Sequence, residues 1–205
     1  MPSSRPRWSL ILLVVLAGLG TGALTQVGQS VLPTGWSQAA NAISPWLLVA
    51  FLVGSVMPGR TAAGAAGTAT LVLALVGYYT MTQLRYGIGG GTGALVFWGI
   101  GAAVGGPVFG LAGRVWAGAP QVGRAVALGL LTAAAIAEGG YHAVVLDEPP
   151  VAAGFVVGGL LVPIVLGRSG RDRVGAYVAA VPALVLGAIG FATFLWLNGV
   201  TAGLS

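Results

Sequence analysis

The chain has no cysteine, no lysine and a single histidine among its 205 residues. Without cysteine there are no disulfides, no thiolate nucleophile and no sulfur-ligated metal or cluster. Without lysine there is no amine for a Schiff-base chromophore, so a chain of seven spans would still not be a retinal protein. One histidine cannot build a multi-histidine metal or haem site. No metal and no cofactor is therefore expected. Charge is scarce as well: charged residues make up 6% of the chain against 57% hydrophobic, and the mean hydropathy is +0.94. No connecting stretch is long enough for a soluble ATPase, a receptor head or a nucleic-acid-binding domain.

What is present is a series of apolar runs: 8–26, 45–57, 62–84, 92–113, 125–146, 151–167 and 174–197. A helix needs about 20 apolar residues to cross roughly 30 Å of hydrocarbon. The run 45–57 is short and is expected to recruit 36–44 as an extra tilted or kinked turn. The sequence thus predicts an all-α polytopic membrane protein, one transmembrane domain over 1–205 with seven helices. Arg5 and Arg7 before the first run also fit a signal peptide. No convincing small-x-small cleavage site follows, Gly22-Ala23-Leu24 being the nearest, so the run is read as a retained span.

All nine basic residues are arginines. Arg5, Arg7, Arg60, Arg114, Arg124, Arg168, Arg171 and Arg173 fall at alternate segment ends, and Arg85 alone falls on the other side. Basic loops stay cytoplasmic, so the amino end is expected inside and the carboxyl end outside. The net charge of +5 is an orientation device facing anionic lipid, and nucleic acid is not an expected partner. Arginine-only basicity with heavy Ala, Gly and Val usage points to a GC-rich bacterial genome and a bacterial plasma membrane.

Gly59-Arg60, Gly113-Arg114 and Gly167-Arg168 recur at a spacing of 54, which fits either a threefold hairpin repeat or a convenient helix end. Glycine reaches 36 residues. Gly18/Gly22, Gly89/Gly93, Gly101/Gly105, Gly106/Gly110 and Gly154/Gly158 are small-xxx-small pairs suited to close helix packing.

Polar residues gather towards the outer side. An aromatic belt accounts for Trp36, Trp46, Tyr86 and Trp196. It does not account for Glu138, which lies 14 residues beyond Arg124, roughly 21 Å along a helix. A carboxylate at that depth costs about 2–3 kcal/mol and is a functional-site candidate. Tyr141 and His142 share its face, and Arg85 is its expected partner, with Tyr78 on the face of Arg85. The glycine-rich turn with Gly89, Gly91 and Gly93 opens the next helix and suits an anion. Two readings stand. In one, Arg85, Glu138, His142, Tyr78, Tyr79, Tyr141 and the turn glycines form an outward pocket for a small anionic or zwitterionic solute. In the other, Glu138 pairs with Arg85 or His142 purely to hold helices together.

Catalysis has little support. Ser55 is at the wrong depth for His142, Asp147-Glu148-Pro149-Pro150 reads as a solvated turn, and no acyl-, phosphoryl- or redox-transfer constellation is present. The chain is not expected to be an enzyme.

The runs Ser44-Pro45-Trp46-Leu47-Leu48-Val49-Ala50-Phe51-Leu52-Val53-Gly54 and Phe97-Trp98 through Gly105-Gly106-Pro107-Val108-Phe109-Gly110 resemble a family of small bacterial membrane proteins of unknown function. That resemblance covers most of the chain and brings no known activity. In size, glycine content and outward polar pocket the chain also resembles the substrate-capture subunits of energy-coupling-factor vitamin transporters. Those typically have six spans and both ends inside, from which seven spans depart. The expected function is binding or transport of a small solute from the outer face, with the lipid bilayer and a transport complex as partners. The alternative is a non-transporting accessory subunit that docks on another membrane protein through glycine-rich helix faces.

Overall fold

The structure is a computed structural model describing residues 6–33 and 36–202, and for 191–202 the backbone alone. The side chains of Trp196 and Asn198 lie outside the described set. The described residues form eight helices and no strand: α1 Arg7–Val31, α2 Trp36–Ala40, α3 Ile43–Ser55, α4 Arg60–Tyr86, α5 Thr92–Gly118, α6 Gln121–Val144, α7 Pro149–Leu166 and α8 Gly170–Ala202. Short α2 and α3 together make one span, so seven segments are long and apolar enough to cross a membrane. The protein is an all-helical polytopic membrane protein.

Consecutive spans reverse direction, which gathers the basic residues. Arg7 opens α1, Arg60 opens α4, Arg114 lies in the last turns of α5, Arg124 is in the first turn of α6, and Arg168, Arg171 and Arg173 flank the start of α8. This is termed the arginine end; among the described arginines Arg85 alone lies at the opposite end. The three Gly-Arg dipeptides occupy different helical positions. Gly59 is the N-cap of α4, Gly113 lies inside α5, and Gly167 caps the end of α7.

Packing divides the helices into two groups. α4 lies against α1, α3 and α5, and α3 also packs along α5. α6 lies between α7 and α8 and meets the first group through α5 and α3. Because lipid tails are as apolar as leucine, helix association relies on close backbone approach. A Cβ on Gly113 would strike the carbonyl of Phe51, and one on Gly54 would strike Gly110. On the α1–α4 seam, Gly22 meets the Ala74 carbonyl and Gly77 the Leu19 carbonyl. Of the small-residue pairs, Gly18/Gly22 and Gly106/Gly110 sit in such seams, whereas Gly93, Gly101 and Gly158 face open space.

At the arginine end, Asp172 is fully buried. Its carboxylate accepts from Arg124 Nε and Nη2, each at 3.2 Å, and from the Arg168 amide at 3.2 Å. Ser169 Oγ accepts the Asp172 amide at 3.1 Å, so Ser169 and Asp172 cap α8 in a variant of the capping box. Arg124 also donates to the Ala119 carbonyl at 3.0 Å, tying the α5–α6 turn to α8.

Thr132 is fully buried on α6, and its hydroxyl has no partner among the described residues. A buried polar group left unpaired costs about 1–3 kcal/mol. Thr132→Val is therefore expected to raise the thermal midpoint in detergent by the equivalent of about 1 kcal/mol. A lowered midpoint would mean that the hydroxyl has a partner.

A candidate solute cleft beside a broken span

The second span breaks at Asn41-Ala42, and the break has a complete hydrogen-bond account. The first four N–H groups of a helix lack intrahelical acceptors. At α3 these belong to Ala42, Ile43, Ser44 and position 45. The Ala42 amide donates to the Ala39 carbonyl at 3.2 Å. The Ile43 and Ser44 amides donate to Glu138 Oε1 and Oε2, at 2.9 and 2.6 Å. Position 45 is proline and has no N–H. The Glu138 carboxylate thus caps the amino end of a half-helix, where two charge-assisted hydrogen bonds and the positive end of the helix dipole offset its desolvation.

This differs from both pairings expected for Glu138. Arg85 is exposed, with its guanidinium 5.9 Å from the Tyr86 ring centroid. His142 is 2% exposed; its Nδ1 lies 2.9 Å from Glu148 Oε2 and its ring stacks on Phe155 at 5.1 Å. The Glu148 amide also donates to the His142 carbonyl at 2.9 Å, so His142 fastens the α6–α7 turn. The amino end of α3, and not the carboxyl end of α4, is what meets Glu138. Among the described residues Arg124–Asp172 is an ion pair, and His142 and Glu148 are joined by the hydrogen bond given above.

A cleft of ≈ 240 Å³ opens beside the break, among α3, α4 and α5. Four aromatic residues line it: Trp46, Tyr78, Tyr79 and Trp98. Asn41 and Thr82 supply polar groups, and among the described residues no charged one lines it. Hydrogen bonds fix two of the rings: Trp46 Nε1 donates to Thr25 Oγ1 at 2.9 Å, and Tyr78 Oη to Gln29 Oε1 at 2.7 Å. Tyr79 stands edge-on to Tyr78 at 5.2 Å. Gly90 makes room for the Tyr79 ring, which a Cβ there would strike.

Of the expected site residues, Tyr78 and Tyr79 meet in this cleft. Glu138 lies behind it, holding Ile43, one of its lining residues. Arg85, Tyr141, His142, Gly89, Gly91 and Gly93 are not in its wall. The three glycines are exposed in the turn and the start of α5, and Tyr141 is 42% exposed with its ring 6.1 Å from that of His142. Trp46 and Trp98 are the aromatic wall residues outside the expected site; the sequence assigns Trp46 to the interfacial belt. Trp46 is 8% exposed, far more buried than a belt residue such as Tyr86 at 53%.

Across residues 1–197 the sequence matches the family of unknown function DUF6518. The chain belongs to that family. No curated protein and no solved structure matches it.

A larger cavity of ≈ 360 Å³ lies on the far side of the break, among α2, α3, α6 and α7. Leu48, Leu131, Val151 and Phe155 dominate its wall, with Ser44 and Trp36 as its polar-bearing residues. Such a wall gives little to orient a solute; the aromatic cleft has better-placed polar groups.

Proposed function

We propose that this protein captures a small organic solute in the aromatic cleft, as a binding or transporting component of a bacterial plasma membrane. The observation that carries the reading is a cleft of four aromatic residues and no charge, placed beside a broken span. Broken spans bring backbone ends and side chains together at solute sites. The positive-inside rule, applied to the arginine end, opens the cleft to the exterior. Aromatic faces attract neutral rings and diffuse cations. With Arg85 outside the wall, the solute is neutral or cationic in preference to anionic. No catalytic role is proposed.

Isothermal titration calorimetry with choline, indole and acetate tests this. Saturable binding of choline or indole is expected, weakened in Trp98→Phe and lost in Tyr79→Ala. Binding of acetate alone, or unchanged affinity in Tyr79→Ala, would contradict the proposal.

One observation favours the accessory-subunit reading. Gly93, Gly99 and Gly101 on α5 have no described atom near the position of a Cβ, beside exposed Val96, Phe97 and Ile100. A stoichiometric membrane partner lost on Gly101→Leu, with the cleft silent to every probe, would support that reading instead.

A further inference from the structure

The arginine end holds a second polar cavity, independent of the solute cleft. It measures ≈ 310 Å³ and is lined by Arg60, Arg114, Gly59, Gly118, Ala119 and neighbouring residues. Arg60 projects from the first turn of α4, whose N-cap Gly59 provides no side-chain cap. Arg114 comes from the end of α5. Gly118 leaves it room, since a Cβ there would lie 2.8 Å from Arg114 Nη1.

Among the described residues no acidic side chain pairs with these two guanidiniums. There are four acidic side chains. Glu138 is held by the Ile43 and Ser44 amides, and Glu148 by His142. Asp147 lies in the α6–α7 turn at the other end, and Asp172 is bound to Arg124 and the Arg168 amide. No carboxylate side chain remains for Arg60 or Arg114, and neither makes an ion pair among the described residues. Two arginines from different helices line one concave space, and guanidinium groups match the tetrahedral oxygens of a phosphate, which accept forked N–H donors. Basic pockets between spans hold lipid head groups in the same way.

We propose that the Arg60–Arg114 cleft binds a phosphate group, carried on an anionic phospholipid headgroup or free in solution. The test uses the full chain, delipidated in mild detergent, with short-chain phosphatidylglycerol, short-chain phosphatidylcholine and inorganic phosphate as probes. Native mass spectrometry reads retained lipid, and thermal unfolding reads all three. Retention of phosphatidylglycerol over phosphatidylcholine is expected, weakened about 10- to 30-fold in the Arg60→Gln/Arg114→Gln double variant. Arg171→Gln, at the same end but outside the cleft, should retain it fully. Gly118→Ala, which crowds Arg114 without removing charge, should weaken it in part. Phosphatidylglycerol retained against excess inorganic phosphate identifies the headgroup. Stabilisation by inorganic phosphate without lipid retention identifies the free ion. Equal retention in the double variant and the wild type, or an equal loss in Arg171→Gln, overturns the site in favour of a diffuse basic surface.

Discussion

Glu138→Ala is expected to lower the thermal stability of the detergent-solubilised protein by about 2–4 kcal/mol: two hydrogen bonds to a charged group contribute about 3–6 kcal/mol together, and water reaching the part-buried amides offsets part of the loss. The loss arises at α3. Without the carboxylate, the Ile43 and Ser44 amides have no acceptor in a part-buried setting, and the half-helix must fray or shift. Glu138→Gln keeps one acceptor oxygen and should show an intermediate loss. Because Ala42, Ile43 and Trp46 line the aromatic cleft, both substitutions should also weaken solute binding in the order Ala, then Gln. Arg85→Gln is the control. It should leave stability nearly unchanged, because Arg85 is exposed and its recorded contact is with the adjacent Tyr86 ring. A loss in Arg85→Gln equal to that in Glu138→Ala would restore an Arg85–Glu138 pair and contradict the capping account.

Asp172→Ala is the other substitution with a large expected effect. Removing one partner of a buried ion pair costs about 3–5 kcal/mol, because the remaining charge is left uncompensated. Here the carboxylate also accepts the Arg168 amide, and the residue's own amide is held by Ser169. One side chain therefore joins the α5–α6 turn, the α7–α8 turn and the amino end of α8. Arg124 is 21% exposed and can find water, which places the expected loss at the lower end of that range. The double variant Arg124→Gln/Asp172→Ala removes both charges and should lose less than the sum of Arg124→Gln and Asp172→Ala. Thermal unfolding of the four proteins measures the coupling. Strict additivity would mean that the pair contributes nothing of its own.

The spans are legible in the sequence because each is a long apolar run, and the arginine positions mark alternate ends. Even the irregular second span leaves a trace: 45–57 is too short, and the missing length appears as α2. The partner of Glu138 leaves none. Its depth follows from counting along α6, but what it binds is the backbone of Ile43 and Ser44, and amide groups carry no letter in a sequence. The search for a partner among side chains pointed to Arg85 and His142 for that reason. His142 instead reaches Glu148 across the tight turn that carries Asp147 at φ 53°. A helical i+4 rule cannot foresee that. The cleft was hidden for a different reason. Trp46 and Trp98 have the composition and depth of an interfacial belt, and only the packing of α3 against α4 and α5 turns them into the wall of a cavity. Tyr78 and Tyr79 were reachable because they lie near a helix end beside polar neighbours.

A small solute held in the aromatic cleft should survive gentle extraction. Native mass spectrometry of the protein extracted gently from its own membrane, with Tyr79→Ala, Trp98→Ala and Arg85→Gln alongside, tests it most directly. A small-molecule adduct is expected on the wild type and on Arg85→Gln and absent from both aromatic variants, and the adduct's mass would give the ligand class. An adduct that survives Tyr79→Ala and Trp98→Ala, or a stoichiometric protein partner with no adduct on any variant, would contradict it.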